Sequence, residues 1–216
     1  MIRALAAAAV LLAAAPAAAV AASCPDGKRL FARGGVKLVD VHIPEHDAGF
    51  DPTFYHRIVG CRAGKRWTVY ESSPYNDWRM YGLRRVGDRI GFVTHDVGWD
   101  NGFYTEVGWT DVRTHRTRVG LINAGEDGDV GDPYVPDDRV SFAIARDGAM
   151  AVLGGKQSEG QQVALLEPRG ARRAFGTARV LMTAESGGFV HGSLRIGPRQ
   201  VRWARVDGAQ ISFDRS

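Results

Sequence analysis

The residues best suited to chemistry lie in one run near the start of the chain, from Asp40 to Asp47. Its two histidines, His42 and His46, stand among carboxylates, and Asp51 and His56 follow closely. Imidazole and carboxylate groups are the ligands that Zn²⁺ and other divalent transition ions take in proteins. The run therefore predicts a metal site that contains His42 and His46.

The spacing of these two histidines limits the geometry of such a site. It does not match the helical His-Glu-x-x-His signature, and Pro44 excludes a single helix that carries both residues. On a strand, His42 and His46 share one face but lie more than about 10 Å apart unless the chain turns at Pro44. The alternative interpretation is a polar loop at the edge of a sheet.

A second candidate ion site is the acidic run at residues 126–132. Asp127, Asp129 and Asp132 are separated by Gly and Val, as in extracellular loops whose oxygen ligands wrap one Ca²⁺ ion. The run lacks the third alternate acid and the terminal bidentate Glu of the complete motif. It predicts a calcium loop, with an acidic, solvated connection as the alternative.

Aromatic residues in predicted loops suggest a different kind of site. Tyr75 and Trp78 share one loop, and Trp99, Asn101 and Tyr104 cluster around the next. Exposed aromatic rings beside Asn and Asp are suited to stacking on sugars or docking on a protein. We predict that these five residues bind an extracellular protein or a cell-wall glycan. The alternative is that each aromatic ring packs against the protein and fixes the position of its own loop.

No pattern in the sequence predicts a catalytic centre. There is no Gly-x-Ser-x-Gly elbow, and no cysteine is spare for a Cys-His pair. His56, His95, His115 and His191 fall in separate predicted units. The favoured function is therefore a secreted, non-enzymatic binding protein. A secreted carbohydrate-active or other hydrolytic enzyme is the alternative.

The first residues have the pattern of an export signal. A short positive region at Met1–Arg3 precedes an uncharged Ala- and Leu-rich segment, and Ala19-Val20-Ala21 offers a small-x-small cleavage site. A transmembrane anchor needs about 20 strongly apolar residues, and this segment is shorter and mostly Ala. We predict a signal peptide at residues 1–23 and one secreted domain, without a transmembrane anchor, at residues 24–216.

The two cysteines, Cys24 and Cys61, both lie in the predicted mature domain. In an oxidising compartment an isolated pair forms one disulfide. Closing a loop of this length stabilises the fold by roughly 4 kcal/mol in the chain-entropy model. The alternative is a lipid anchor on Cys24, although the preceding residues 21–23 lack the Leu usual in such signals.

The charge pattern argues against a nucleic-acid partner. The 28 basic residues are interleaved with 24 acidic ones, so the net charge of +4 forms no continuous basic stripe.

The elements that must position these residues are predicted to be short antiparallel strands. Between Val140 and Phe213, for example, apolar residues alternate with polar ones and are bounded by Gly, Pro or Asp. No segment of ten or more residues past the signal has a clean helical period, so we predict essentially no helix there. The predicted hairpins alternate between two kinds. The first kind turns at Gly27, Gly87, Gly148 and Gly197, and the second turns at Gly64, Thr114 and Gly170.

Two hairpins in every 50–60 residues or so form a four-stranded unit, the size of a propeller blade. The first kind resembles the blade-opening motif of TolB-type, WD-repeat-like β-propellers, a Pro-Asp-Gly-Lys turn that leads into a short apolar strand. It occurs as Cys-Pro-Asp-Gly-Lys-Arg-Leu at residues 24–30 and, in a looser form, at residues 145–151. The second kind, as at residues 163–170, is similar to the outer hairpin of such blades.

The resemblance covers about half of the chain. It implies an all-β, antiparallel, propeller-like fold with about four short four-stranded units. One form of it is a closed propeller in which the N-terminal strand completes the last blade. An open, partial propeller and a β-sandwich are the alternatives.

Overall fold

The structure is a computed structural model. It describes residues 23–45, 53–72, 78–97, 103–125, 140–154, 161–168, 175, 178–184, 188–190 and 192–215. These residues form strands, turns and irregular segments without an α-helix, which confirms the predicted all-β class. Nowhere in those ranges is there a helix of the length and apolarity that crossing a membrane requires.

The strands of the described ranges form four antiparallel sheets, each made of strands that are consecutive in sequence. Sheet 1 contains β1 (Lys28–Arg33), β2 (Val36–Glu45), β3 (Thr53–Arg62) and β4 (Lys65–Glu71). Sheet 2 contains β5 (Arg79–Val86), β6 (Arg89–Val97), β7 (Phe103–Asp111) and β8 (Thr117–Gly125). Sheet 3 contains β9 (Ser141–Ile144), β10 (Met150–Gly154), β11 (Gln161–Leu166) and β12 (Arg179–Ala184). Sheet 4 contains β13 (Arg195–Ile196), β14 (Gln200–Ala204) and β15 (Gln210–Asp214).

The sheets stack face to face in chain order, and a separate apolar cluster fills each of the three contacts. The first joins sheet 1 to sheet 2 and includes Leu38, Ile58, Ile90 and Phe92. The second joins sheet 2 to sheet 3 through Val107, Phe142, Met150 and Leu166. The third joins sheet 3 to sheet 4 through Leu153, Leu165, Leu194 and Val201. This sheet-on-sheet order is propeller-like, as predicted.

A tryptophan from a strand lies at each of these contacts. Trp67 of sheet 1 donates its indole N–H to Thr110 Oγ1 of sheet 2, at 2.8 Å. Trp109 of sheet 2 donates to the Gly148 carbonyl in the first turn of sheet 3, at 2.8 Å. Trp203 of sheet 4 is 1% exposed within the cluster shared with sheet 3. The position of these three tryptophans within predicted strands predicts a role in the core, and the burial of all three confirms it.

The connections between consecutive strands leave the stack at two opposite ends. Short turns join the first two strands of each sheet, as at Gly87 and Gly148, and they also join β3 to β4. Arg85, which precedes one such turn, donates to the Arg33 carbonyl beside another, so these turns lie at the same end. We call that end the short-turn end. Because consecutive strands are antiparallel, the connections at residues 46–52 and 98–102 leave from the opposite end, here called the long-loop end.

Several sequence predictions of detail are wrong. Gly27 precedes β1 rather than turning a hairpin; the β1–β2 turn is at Gly34 and Gly35, which have positive φ of 59° and 73°. β1 pairs with β2 in sheet 1 and therefore does not complete the last sheet. The apolar pair Ala174–Phe175 also predicts a short strand, but within the described residues Phe175 forms only a single bridge to Pro168.

The strand β12 was not predicted because its sequence lacks alternation. Val180, Leu181 and Met182 are consecutive apolar residues, and all three remain at least partly exposed at the edge of sheet 3. The bulge in β11 between Val163 and Ala164 also shifts the register that a strict period of two would give.

The C-terminal Arg215 fastens sheet 4 to sheet 3 at the short-turn end. Its guanidinium donates to the Gly197 carbonyl at 2.7 Å and to Asp147 Oδ2 at 2.8 Å, and its side chain is 7% exposed. Asp147 also accepts the Ala149 backbone N–H at 3.1 Å. Burial alone would raise the pKa of Asp147, but the Ala149 N–H and the Arg215 charge outweigh it and lower the pKa below 3.8.

We expect Asp147→Asn to lower the free energy of unfolding by at most about 1 kcal/mol at neutral pH, because the Asp147 side chain is half-exposed. A lowered folded-state pKa gives stability that is present above the unfolded pKa and lost as the pH falls through the folded value. The difference between wild type and variant should therefore vanish at pH values well below 3.8. Thermal unfolding followed by circular dichroism across this pH range measures it.

Asp207→Asn is the matched control. Asp207, Gly208 and Ala209 repeat the turn of Asp147, Gly148 and Ala149, with the Ala209 N–H donating to Asp207 Oδ1 at 3.0 Å. Asp207 pairs with Arg205, and both side chains are about half-exposed. An equal, pH-dependent loss in both variants would contradict the role given to Arg215.

Candidate metal centre

Three ligand-type side chains meet across the β2–β3 ladder. Asp40 and His42 are two residues apart on β2, so their side chains share one face of the sheet. His56 on β3 is the register partner of His42, and directly opposed residues also share a face. Antiparallel pairing therefore brings together three residues that the sequence separates by up to 16 positions.

The distances within this cluster are short. Both carboxylate oxygens of Asp40 lie 3.0 Å from His56 Nδ1, which donates to them in the tautomer that is protonated there. His42 Nε2 lies 3.7 Å from Asp40 Oδ2, and the two imidazole centroids are 4.4 Å apart. One ligand atom from each of the three residues falls within 4.8 Å of the other two.

The cluster lies where the apolar face of β2 reaches solvent. Val36, Leu38 and Asp40 follow one another along this face with 1%, 0% and 4% exposure, whereas the side chain of His42 is 59% exposed. β1 ends opposite Asp40, because its last partner in that direction is Lys28. The buried carboxyl group therefore stands at the end of the core, with the histidines between it and the solvent.

Two residues fix the position of His56. The backbone N–H of His56 donates to Ser72 Oγ, and the N–H of Ser72 donates to the His56 carbonyl, both at 2.9 Å. The indole of Trp78 stacks on the imidazole with centroids 4.9 Å apart and an interplanar angle of 24°. His56 is thus held by the two residues, Ser72 and Trp78, that flank residues 73–77 between sheet 1 and sheet 2.

The row of rings continues from Trp78 into the interface between the sheets. Tyr70 of β4 stacks with Trp78 at a centroid separation of 5.9 Å and an angle of 23°. The phenol of Tyr70 donates to Glu106 Oε2 of β7 at 2.7 Å. His42, His56, Trp78 and Tyr70 therefore form one continuous row, which we call the ring row.

The disulfide joins the segment before β1 to sheet 1. Cys24 and Cys61 are bonded, which confirms the predicted pairing. Cys61 is on β3, close to the β3–β4 turn, so the bond lies at the other end of the strand from the cluster. A Cβ on Gly27 would lie 2.3 Å from the Asp40 carbonyl oxygen, so this segment packs tightly under the residue that anchors the cluster.

The arrangement of donors fits a transition-metal ion. In a tetrahedral site with bonds of about 2.0–2.1 Å, ligand atoms stand roughly 3.3 Å apart. The observed separations of 3.0 and 3.7 Å lie on either side of that value. Small rotations of exposed His42 would bring its nitrogen closer to that of His56. In the described part of the chain no other group of three such residues comes together.

The structure places the predicted metal residues unequally. His42 is in the cluster, together with Asp40 and His56 from the same sequence neighbourhood, whereas His46, Asp127, Asp129 and Asp132 lie outside the described residues. The chain does not turn at Pro44, because β2 continues to Glu45 and Pro44 pairs with Phe54. Pro44 lies beyond the part of β2 that pairs with β1. The backbone N–H that proline lacks is therefore not needed for pairing with β1.

Of the five residues of the predicted aromatic site, the structure describes Trp78 and the backbone of Tyr104. Tyr75, Trp99 and Asn101 lie outside the described residues, and Tyr104 is on β7 with its side chain outside the description. Trp78 was expected to be an exposed loop residue, and this is wrong: it is 9% exposed and belongs to the core between sheets 1 and 2. The segments that carry the other three residues are flanked by strand ends at the long-loop end.

No protein-family model, curated protein or solved structure matches this chain. The resemblance to propeller blades therefore stays a prediction, and the interpretation of function depends on the geometry of the cluster.

We expect His56→Ala to lower the free energy of unfolding by about 1–3 kcal/mol, because buried Asp40 loses its hydrogen-bond partner. His42→Ala should change it by no more than about 0.5 kcal/mol, since that side chain is exposed. Chemical denaturation of ion-free protein measures both. Adding Asp40→Val to His56→Ala should restore stability, because an apolar side chain suits the row of Val36 and Leu38. Equal effects of the two histidine variants would contradict this account.

Proposed function

We propose that the protein is an exported binding protein that holds one divalent transition-metal ion through Asp40, His42 and His56. The observation that carries the proposal is the mutual approach of three ligand atoms within 4.8 Å. The Asp40–His56 hydrogen bond holds one imidazole in place before any ion arrives. An ion that binds His56 through Nδ1 replaces the proton of this hydrogen bond, and the side chains it meets are already held close together, so less conformational entropy is lost on binding.

The donor chemistry restricts the kind of ion. Two imidazole nitrogens and one carboxylate oxygen suit Zn²⁺, Cu²⁺ and Ni²⁺. Ca²⁺ and Mg²⁺ instead require six or more oxygen ligands, largely from carboxylates, carbonyls and water. The cluster therefore favours transition ions over the alkaline-earth ions. The calcium loop predicted around Asp127 is a separate proposal that this geometry does not address.

The position of the cluster favours binding at the surface. His42 is 59% exposed, so an ion held there keeps coordination positions open to solvent. The cluster is also at the long-loop end, where the connections that carry Tyr75, Trp99 and Asn101 begin and end. An extracellular protein or cell-wall glycan that contacts these connections would meet the ion at the same end.

A metal-dependent hydrolase is the second candidate. Catalytic zinc sites have three protein ligands and a fourth position that holds water, and the exposed side of this cluster leaves room for one. Such an enzyme would hydrolyse a test ester or phosphoester only when loaded, and would lose this activity in His42→Ala. A loaded protein without turnover supports the binding function.

Calorimetric titration of tag-free protein tests the proposal. We expect one equivalent of Zn²⁺ or Ni²⁺ to bind, and each of His42→Ala, His56→Ala and Asp40→Asn to reduce or abolish binding. An ion at a hundredfold excess over its Kd should add about 2.7 kcal/mol to the free energy of unfolding of the wild type. Ca²⁺ should produce no binding signal at this site and no shift that depends on the histidines.

His115→Ala is the matched control. His115 stacks on Trp67 at 4.6 Å in the turn after β7, at the short-turn end and away from the cluster. The His115→Ala variant should bind the ion with the same affinity as the wild type. Binding that survives the loss of both His42 and His56, or that falls equally in His115→Ala, would overturn the proposed function.

A further inference from the structure

We propose that the ring row is a redox relay: Tyr70 and Trp78 supply an electron to a copper ion held by the cluster when peroxide reacts there. The inference rests on the proposed function and extends it to the chemistry of one ion. Copper is the redox-active member of the ions that this donor set favours.

The geometry of the row supports electron transfer. The Trp78 ring is stacked on His56 at 4.9 Å and on Tyr70 at 5.9 Å, with interplanar angles of 24° and 23°. Electron transfer falls steeply with distance, and rings at such separations are coupled without an intervening gap. Tryptophan and tyrosine are the aromatic side chains that lose one electron most readily. Phe92, which also contacts Tyr70, is far harder to oxidise and ends the row.

The inner end of the row has a base for the proton. A phenol that loses an electron becomes a strong acid, so a stable tyrosyl radical requires a proton acceptor. Glu106 Oε2 already accepts the Tyr70 hydroxyl at 2.7 Å. Trp78 provides no equivalent exit, because its buried indole nitrogen has no hydrogen-bond partner in the described part of the chain. The radical therefore localises on Tyr70 rather than on Trp78.

The step balances with hydrogen peroxide as the oxidant. Cleaving the O–O bond of peroxide takes two electrons: Cu⁺ gives one, and Tyr70 gives the other through Trp78. The products are Cu²⁺, two hydroxide ions, the neutral Tyr70 radical and protonated Glu106. Ascorbate, a reductant, returns copper to Cu⁺ before the reaction. Without the relay, the oxidising equivalent remains beside His42 and His56 and damages the ligands.

Three variants test the relay after copper loading and treatment with ascorbate and peroxide. In the wild type we expect a tyrosyl signal by electron paramagnetic resonance and intact His42 and His56 by peptide mapping. Tyr70→Phe should lose the signal while keeping the ring, and its histidines should become oxidised. Glu106→Gln should keep an acceptor for the hydroxyl but lose the signal, because the amide does not take the proton. Trp78→Phe should lose the signal by interrupting the row.

Trp203→Phe is the control for the loss of a buried indole. Trp203 is 1% exposed in sheet 4, and its nitrogen, like that of Trp78, has no partner among the described residues. It should behave as the wild type. A tyrosyl signal that persists in Tyr70→Phe, or equal histidine oxidation in the wild type and that variant, would overturn the relay alone. Absence of copper binding by the wild type in a prior titration would overturn the proposed function, and the relay with it.

Discussion

Face-to-face packing of consecutive sheets is the constraint on which the rest of this structure depends. Each sheet is a small meander whose apolar face must be buried against another element. Burial therefore comes from its neighbours, and each contact contains a buried indole: Trp67, Trp109 or Trp203. The large ring spans the space between two backbones. Gly60, for instance, leaves room for Trp67, since a Cβ there would lie 2.3 Å from the indole.

The packing of sheet 1 on sheet 2 also determines where the side chains of β2 become accessible to solvent. Side chains on the face of β2 that points toward sheet 2 are buried until the strand extends past β1, and there the face opens. Asp40 lies at this boundary and His42 just beyond it. Trp78 belongs to the core of the sheet 1–sheet 2 contact and also supports His56. The apolar contact between the sheets thus determines the orientation of the polar cluster at its rim.

Most of the fold was predictable from local pattern, and the cluster was only partly so. The sequence from Lys65 to Glu71 predicts a strand because Trp67 and Val69 alternate with polar residues, and β4 has these limits. β12 was not predicted, because a strand at the edge of a sheet can form without alternating apolar and polar residues. His42 was identified by residue type, but its partner was sought along the strand at His46. The partner in the described cluster is His56 across the ladder, and register is set by pairing and turn geometry, not by spacing within one strand.

The burial of Asp40 is the strongest sign that this cluster is more than a product of packing. The two preceding residues on its face are Val36 and Leu38, and a valine at position 40 would continue the row at no desolvation cost. A carboxyl group there loses solvation, and the hydrogen bond from His56 offsets that loss only in part. Stability alone would therefore favour the apolar residue. A positively charged ion would offset the solvation free energy that the Asp40 carboxylate loses on burial, because the ion interacts with the carboxylate more strongly in these apolar surroundings than in water. The proposed ion would account for both the composition of the cluster and its place at the end of the core.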